Sequence, residues 1–270
     1  MTYLILRLKA TKANMVQSIG VLAPTPVFAA VMAMHALDKR MHDRLSIRGV
    51  GLVHHDYTPW MEHIETQNGY VDSGVVQRRG LGLLDPAESE KGRIKSPSIQ
   101  PEALADYDWT LVLDCKHAVS SEQLPEIRRM VSTMRFAGGT IVSVAINVAD
   151  TWDNVLRRVA PGYWIEDVSD QLKHPTLSPM AALMQVCTEP WTMPSTLGYA
   201  MLTNVAPREG ARDAKPHAFV EGMLGAVRMV PLRRVRSTLT PKNLWRYGWD
   251  ADQFIVTNRD IPLLPEFIPV

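Results

Sequence analysis

The sequence has only two cysteines, and they lie far apart. Cys115 and Cys187 form no Cys-x-x-Cys pair, so neither a structural zinc site nor a disulfide framework is expected. Apolar residues never run for about 18 positions without a charge, which argues against a membrane-spanning helix. Arg7 and Lys9 follow a short apolar run, the reverse order of a signal peptide. Together these features predict a cytoplasmic protein without membrane contact.

The motifs of several common enzyme classes are also missing. The sequence contains no GxxxxGK[ST], no GxSxG and no HExxH. Gly49-Val-Gly51 lacks the third glycine of a dinucleotide-binding motif and lies in a predicted strand, where glycine more often admits close approach of another chain. His54, His55, Asp56 and His63 fit no metal-ligand spacing. We therefore expect no cofactor, no metal and no catalytic residue.

The net charge is close to zero, but the charged residues are unevenly distributed along the chain. The net charge is +1, yet residues 1–50 carry +5, residues 51–207 carry −7, residues 208–246 carry +6 and residues 247–270 carry −3. Two basic segments therefore flank an acidic middle. Such segregation suits a protein that binds a polyanion on one surface and protein partners on another. Scattered, solvated charge is the alternative explanation.

Hydrophobic periodicity predicts an α+β fold over residues 1–150. Leu4, Leu6 and Leu8 alternate with Arg7 and Lys9, as in a half-buried strand. The predicted order is strand, helix, strand, excursion, strand, helix, strand. The elements are a strand at 3–9, a helix from Pro26 to about 42, strands at 47–53 and 108–115, a helix from Ser120 or Ser121 to about Arg135, and a strand at 140–147. This is the βαββαβ order of a ferredoxin-like, or RRM-like, domain.

Two regions depart from that pattern. Residues 66–101 are rich in Gly, Pro, Ser and charge, which predicts a thumb that projects from the domain as a long excursion, with a hairpin as one form. Residues 151–270 are harder to interpret. We expect a helical insertion and a β-rich C-terminal part of mixed structure that completes the same core.

Candidate nucleic-acid contacts follow from cations, amides, glycines and one aromatic residue. A glycine pair lets another chain approach closely, and an extended basic run suits phosphates. An ordinary helix C-cap at the glycines, with Phe136 in the core, is the alternative. The candidates are Arg7, Lys9, Lys12, Asn14 and Gln17 as one wall; Arg135, Phe136, Gly138 and Gly139 as a floor; Arg78, Arg79, Arg93 and Lys95 on the thumb; and Arg228, Arg233, Arg234 and Arg236 near the C-terminus.

Several short motifs occur in a characteristic order along the chain. They are Lys12-Ala-Asn14 with His35-Ala-Leu37, Gly49-Val-Gly-Leu-Val-His54, Met134-Arg-Phe-Ala-Gly-Gly-Thr-Ile141, Pro161-Gly-Tyr163, Gly198-Tyr199 and His217-Ala-Phe-Val-Glu221. This set resembles the Csy-two family, the Cas-five-type subunit of type I-F CRISPR effectors. Two departures, the segment Val21–Pro26 before the first helix and a short second half, indicate a divergent type I-F variant or a related type IV subunit.

The resemblance implies a non-catalytic subunit with a ferredoxin-like domain and a thumb. Such a subunit binds the 5′ handle of the crRNA and abuts a Cas-seven-type backbone subunit. It also docks the large, Cas-eight-type subunit that recognises target DNA, so its own contact with that DNA is indirect or near the flanking motif. The alternative is an RNA endonuclease that processes repeat RNA, with His35, His54 or His55 as the general base.

Overall fold

One large antiparallel sheet organises the chain. A computed structural model describes residues 2–18, 21–67, 69–73, 76–79, 99–210 and 215–265. Ten of the described strands form this sheet, in the order β10-β11-β1-β9-β4-β12-β14-β13-β16-β15. Their bounds are β1 Thr2–Asn14, β4 Ile47–Pro59, β9 Leu104–Cys115, β10 Arg135–Phe136, β11 Gly139–Ala149, β12 Tyr163–Asp167, β13 Thr192–Met201, β14 Val220–Pro231, β15 Arg246–Asp250 and β16 Gln253–Thr257.

The remaining elements are short strand pairs and helices. The pairs are β2 Val16–Ser18 with β3 Val21–Leu22, β5 Glu62–Thr66 with β6 Gly69–Ser73, and β7 Val76–Arg79 with β8 Ile99–Glu102. The α-helices are α1 Val27–Arg40, α2 Leu124–Ser132, α3 Trp152–Arg158, α4 Pro179–Val186 and α5 Leu232–Val235. Three 3₁₀ turns span Ser121–Gln123, Ser169–Leu172 and Pro241–Asn243. The predicted α+β class is confirmed.

The predicted strands and helices of the first half lie next to one another. β11, β1, β9 and β4 are neighbours in the sheet, α1 connects β1 to the β4 region, and α2 lies between β9 and β11 in the chain. The second half adds strands β12 to β16 to the β4 side of the same sheet. Ile165, Val227 and Trp245 from this half join the core cluster that contains Leu4 and Leu6.

The alternation in β1 separates two faces of the sheet. Leu4, Leu6 and Leu8 are buried in the core that includes α1 and α2. On the opposite face, Tyr3 and Ile5 are buried beneath a second core cluster that contains residues of α3 and α5. Arg7 and Lys9 continue along that second face beyond this cover and are exposed. We call the face with Arg7 and Lys9 the open face.

The segment that contains the glycine pair 138–139 forms a hairpin turn, which corrects the sequence interpretation. α2 ends at Ser132 rather than near Arg135, and β10 pairs with β11 through Phe136 and Gly139. Ala137 and Gly138 therefore form a two-residue turn, both with positive φ (46° and 79°), as a type I′ turn requires. A Cβ on Gly139 would lie 2.6 Å from the carbonyl oxygen of Thr11, so β1 covers this glycine.

Two strand glycines do admit close approach, as the sequence predicts. A Cβ on Gly49 would lie 3.0 Å from Cβ of Leu244, and a Cβ on Gly51 would lie 2.5 Å from Cη2 of Trp164. Trp164 is itself buried. The missing side chains therefore allow the second half of the chain to pack directly on β4.

The thumb begins earlier than predicted. β4 and β9 remain paired as far as Pro59 opposite Ala105, and hairpin β5–β6 follows at once. β7 and β8 then pair antiparallel, so a hairpin is present in this excursion. The candidates Arg93 and Lys95 lie outside the described residues, and Arg78 and Arg79 lie on β7.

Replacing Gly51 with alanine tests the contact with Trp164. Because the added methyl group would overlap a buried indole, Gly51→Ala should lower the free energy of unfolding by about 1–3 kcal/mol. Gly222→Ala is the matched control, since its Cβ would lie 3.9 Å from Cε1 of Tyr199, at ordinary contact distance. Urea unfolding of both variants measures the difference. Equal stability of the two variants would contradict the packing argument.

Candidate nucleic-acid interface

The cations of β1 are held by an acidic side chain on β9. Arg7 donates two hydrogen bonds to Asp108, from Nε to Oδ1 and from Nη2 to Oδ2, each 2.9 Å long. Lys9 Nζ lies 3.7 Å from Oδ2 of the same carboxylate. Burial would raise the pKa of Asp108, but the hydrogen bonds and charge of Arg7 lower it overall. The three groups therefore carry one net positive charge, and Arg7 is held in a fixed position on the open face.

A second carboxylate orders the bulge of β1 around Lys12. Lys12 has a φ of 54°, and Asp106 Oδ1 accepts hydrogen bonds from Thr11 Oγ1 (2.6 Å), Lys12 N (3.0 Å) and Trp60 Nε1 (2.7 Å). These bonds place the Lys12 ammonium 4.8 Å from the centroid of the Trp60 ring. Trp60 is 44% exposed. An exposed aromatic beside a cation is a typical base-stacking surface, and the sequence interpretation missed it.

The β10–β11 hairpin contributes Arg135 but not Phe136. Arg135 Nη1 donates a 2.7 Å hydrogen bond to Thr140 Oγ1, and Thr140 is paired with Thr11 of β1. Since side chains alternate along a strand and the adjacent Phe136 faces the core, Arg135 lies on the open face. Phe136 is completely buried and packs against Trp109 and Tyr107. The ring therefore belongs to the core, the alternative that the sequence left open, and is not exposed for the predicted RNA contact.

Asn14 and Gln17 lie in a different place from Arg7 and Lys9. They line a pocket of about 300 Å³ with Gly138, Phe28 of α1 and Tyr199 of β13. Both side chains are engaged in local hydrogen bonds: Asn14 Oδ1 accepts from Val16 N (2.9 Å), and Gln17 Oε1 accepts from Thr196 N (3.3 Å). We call this pocket the α1-side pocket. The residues that the sequence predicts as one RNA-binding wall therefore lie in two places, the open face and the α1-side pocket.

A larger groove lies where β4 meets the second half of the chain. It has a volume of about 690 Å³ and is lined by His55, Pro161, Gly162, Tyr163, Pro231, Leu232, Arg233 and Arg236. We call it the β12 groove. His55 fixes its wall, because its Nδ1 lies 2.8 Å from the Pro161 carbonyl oxygen and its Nε2 lies 2.7 Å from Thr110 Oγ1. A carbonyl only accepts, so Nδ1 carries a proton.

An exposed tryptophan stacks on Tyr163, one of the residues that line the β12 groove. Trp191 stacks on Tyr163 with ring centroids 5.3 Å apart and an interplanar angle of 26°. It is 57% exposed and has a φ of 62°, an uncommon and costly conformation for a bulky residue. A strained backbone that presents an aromatic ring to solvent often marks a ligand contact. Hydrophobic periodicity did not distinguish this residue, because it lies outside the helices and strands.

The C-terminal arginines divide into free and paired groups. Arg233, Arg234 and Arg236 lie on or beside the short helix α5 rather than on the predicted extended segment, and all three are exposed. None of them has a carboxylate partner within the described ranges, and Arg233 and Arg236 face the β12 groove. Arg228 differs, because its Nη2 lies 3.7 Å from Glu166 Oε2.

The histidines considered as bases are engaged in the fold. His54 is 4% exposed and packs edge-on against Trp109, and its Nδ1 has no hydrogen-bond partner among the described residues. Burial lowers its pKa to about 4, and burial also lowers the pKa of His55. His35 Nδ1 lies 2.7 Å from the Tyr247 hydroxyl. In the described residues, no three His, Cys, Asp or Glu side chains are grouped closely enough to hold a metal ion.

A comparison with protein families identifies the chain. A family model described as CRISPR-associated protein (Cas_Csy2) matches residues 3–186. The chain belongs to the Csy2 family. The match covers the four strands β11, β1, β9 and β4 and ends at the last residue of α4. A search of curated proteins finds no match. Within the described part of this Csy2-family chain, no helix combines the length and the apolar character needed to cross a bilayer.

The buried His54 predicts a pH-dependent stability. Its folded pKa of about 4 lies below the ordinary histidine pKa of 6.5, so between these values the unfolded chain binds more protons. The free energy of unfolding should therefore fall as pH decreases from about 6.5 to about 4, by up to about 3 kcal/mol from this group. His54→Leu should remove this contribution, which urea unfolding at several pH values measures.

The exposed His117 supplies the control for that series. His117→Leu should keep the full pH dependence, while the lowered pKa of His55 leaves a residual slope in the His54 variant. An unchanged pH profile in His54→Leu would show that His54 is not the buried neutral group described above.

Proposed function

We propose that the chain is a non-catalytic subunit of a CRISPR ribonucleoprotein effector that binds the 5′ handle of the guide RNA. Membership in the Csy2 family supports the CRISPR association. The RNA contact is inferred from the open face and the β12 groove. The observation that carries it is the β12 groove itself, which is lined by Tyr163 and by two guanidinium groups that have no carboxylate partner among the described residues.

The arrangement of the first half supports a ferredoxin-like assignment. The order β11-β1-β9-β4, with α1 and α2 packed on one side, is the arrangement we expect of a βαββαβ unit. RRM domains of this type bind single-stranded RNA on the sheet through exposed aromatic residues. Here the open face lies opposite α1 and α2, and it holds Arg7, Lys9, Arg135 and the Lys12–Trp60 pair.

The chemistry of the β12 groove suits an unpaired nucleotide. A base of any identity can stack on an exposed aromatic ring, and the stacking stabilises the complex. The guanidinium groups of Arg233 and Arg236 supply paired donors for a phosphate. Neither group is paired with a carboxylate among the described residues, so no ion pair has to break before a phosphate binds. A phosphate bound by these two arginines would therefore lie beside α5.

The β12 groove and the open face are continuous. His55 in the groove bonds Thr110, and Thr110 is paired with Arg7 across β9 and β1. The sheet order places β1, β9, β4 and β12 side by side, so Arg7 and Tyr163 are separated by three strand spacings, about 15 Å. A single-stranded segment of a few nucleotides would span that distance.

The proposed absence of catalysis rests on the histidines. A general base should have a pKa near the working pH and a free lone pair. The pKa of His54 is too low and its ring is buried, while both ring nitrogens of His55 are hydrogen-bonded. These contacts support a binding role over the endonuclease alternative.

The proposed partners are a Cas-seven-type backbone subunit and a Cas-eight-type large subunit. Support for them comes from the family and from the separation of basic and acidic segments along the chain. Target DNA contact is proposed as indirect or near the flanking motif. A cytoplasmic location follows from that role.

Alanine at Arg233 and Arg236 tests the RNA contact. The double variant should lose about tenfold or more in affinity for handle RNA, because two charge-assisted phosphate contacts are removed. The slope of log K against log salt should fall by about 1.4, since each single-strand phosphate contact contributes about 0.7. Gel-shift titrations at several salt concentrations measure both quantities.

Arg234→Ala is the matched control, because this residue is exposed on the same helix but does not line the groove. It should leave the salt slope close to that of the unmodified chain. Identical losses in all the variants would indicate diffuse attraction to a basic surface and would contradict binding in the β12 groove.

A further inference from the structure

β11 is an edge strand with one unpaired side. β1 pairs with β11 from Thr140 to Ala149, but β10 covers its other side only at Gly139 and Thr140. Over residues 141–149, no other strand within the described ranges pairs with that outer side. A sheet edge of this length presents a row of backbone donors and acceptors that another strand can use.

Two arginines show which backbone groups point outward. Arg128 Nη1 donates a 2.8 Å hydrogen bond to the carbonyl of Val144, and Arg158 Nη1 donates to the carbonyl of Val148. In an antiparallel strand the N–H and C=O of one residue point to the same side, and the side alternates along the chain. Val144, Ile146 and Val148 therefore direct both groups away from β1. Their three N–H groups remain available to an acceptor.

β11 itself has few features that would prevent it from pairing with a strand of another chain. Gly139–Ala149 contains no charged residue and no proline, and Val142 is 62% exposed. Edge strands usually carry charges, prolines or bulges that prevent pairing with other chains. Along β11, the register shift opposite Lys9 and Ala10 is the single feature of this kind. The guanidinium groups of Arg128 and Arg158 instead occupy the outward carbonyls from helices α2 and α3.

We propose that the β11 edge binds an extended segment of another polypeptide that carries acidic side chains. The added strand donates its N–H groups to the carbonyls of Val144 and Val148 and accepts from the N–H groups of Val144, Ile146 and Val148. Arg128 and Arg158 are thereby released from the backbone. They then pair with Asp or Glu side chains of the added strand, as opposite charges do across neighbouring strands.

Charge disfavours a second copy of this chain, and the hydrogen-bonding groups of the edge disfavour a nucleic acid. Arg128 of α2 and Arg158 of α3 both contact the edge. A second copy of this chain would bring the same arginines against them, and like charges across an interface oppose association. The phosphates of a nucleic acid offer acceptors for the N–H groups but no donors for the carbonyls. A peptide strand satisfies both sets.

This inference is independent of the RNA contact proposed above. The β11 edge and the β12 groove are separated by β1, β9 and β4 in the sheet. A subunit can therefore bind RNA at one location and a protein strand at the other.

Hydrogen exchange of residues 141–149 tests the proposal in four samples. They are the chain at low concentration, the chain at high concentration, the chain with guide RNA alone, and the effector complex obtained by co-expression with its neighbouring genes and guide RNA. Exchange of the β11 amides should slow by about tenfold or more only in the complex, because new backbone hydrogen bonds close the edge. Protection with RNA alone, protection at high concentration, or no protection in the complex would each overturn the proposal.

Two variants connect the edge with assembly. Ile146→Pro removes one outward N–H and leaves the pairing with β1, a position where an edge strand tolerates proline. Its matched control Ile146→Ala trims the same side chain but keeps the N–H. The fraction of chain incorporated into the complex should fall by about tenfold in the proline variant and stay near that of the unmodified chain in the control.

The double variant Arg128→Glu with Arg158→Glu covers the case in which the proline variant fails to fold. It should also lose incorporation, because an acidic strand would meet two carboxylates. The affinity of the folded Ile146→Pro chain for handle RNA should be unchanged, so a loss of RNA binding and a loss of strand addition are distinguishable. Full incorporation of both edge variants would contradict the proposal.

Discussion

The structure depends on one narrow joint between β4 and β12. Only two residue pairs connect these strands, Tyr163 with His54 and Trp164 with Val53. The joint is possible because two glycines lack a side chain: a Cβ on Gly51 would overlap Trp164, and a Cβ on Gly162 would lie 2.7 Å from the carbonyl oxygen of His54. Through this joint the five strands of the second half become part of the same sheet. It also places Tyr163 and His55 in one groove.

Charge pairing decides which cations are available to a ligand. Arg7 and Arg228 were candidates from the sequence, and both lie beside carboxylates. Arg233 and Arg236 lie beside a groove without such partners in the described chain. Net charge along the sequence therefore located the two basic segments but did not separate paired from free guanidinium groups. That separation depends on strand register, which brings Asp108 opposite Lys9 and Glu166 opposite Arg228.

Much of the first half was predictable from local pattern. The alternation of Leu4, Leu6 and Leu8 with Arg7 and Lys9 fixed the buried side of β1 and the exposed cations. Local pattern left the position of Phe136 open, because a glycine pair after a helix suits both a C-cap and a hairpin turn. Only the tertiary pairing of β10 with β11 decides between them. That pairing buries the Phe136 ring.

The aromatic residues of the candidate site were not predictable in this way. Trp60 and Trp191 lie outside helices and strands, where hydrophobic periodicity carries no information. Trp60 depends on a hydrogen bond to Asp106, and Trp191 depends on a positive φ that sequence does not reveal. A lone tryptophan in a polar connection next to proline, as in Pro59-Trp60 and Pro190-Trp191, was the available signal.

Photocrosslinking of the guide RNA to the assembled complex tests the central claim most directly. Handle RNA that carries 4-thiouridine, followed by peptide mass spectrometry, locates the nucleotides on the chain. The account predicts crosslinks to the peptides that contain Tyr163 and Trp191, with loss of those crosslinks in Trp191→Ala. Crosslinks confined to the α1-side pocket of Asn14, Phe28 and Tyr199 would contradict it.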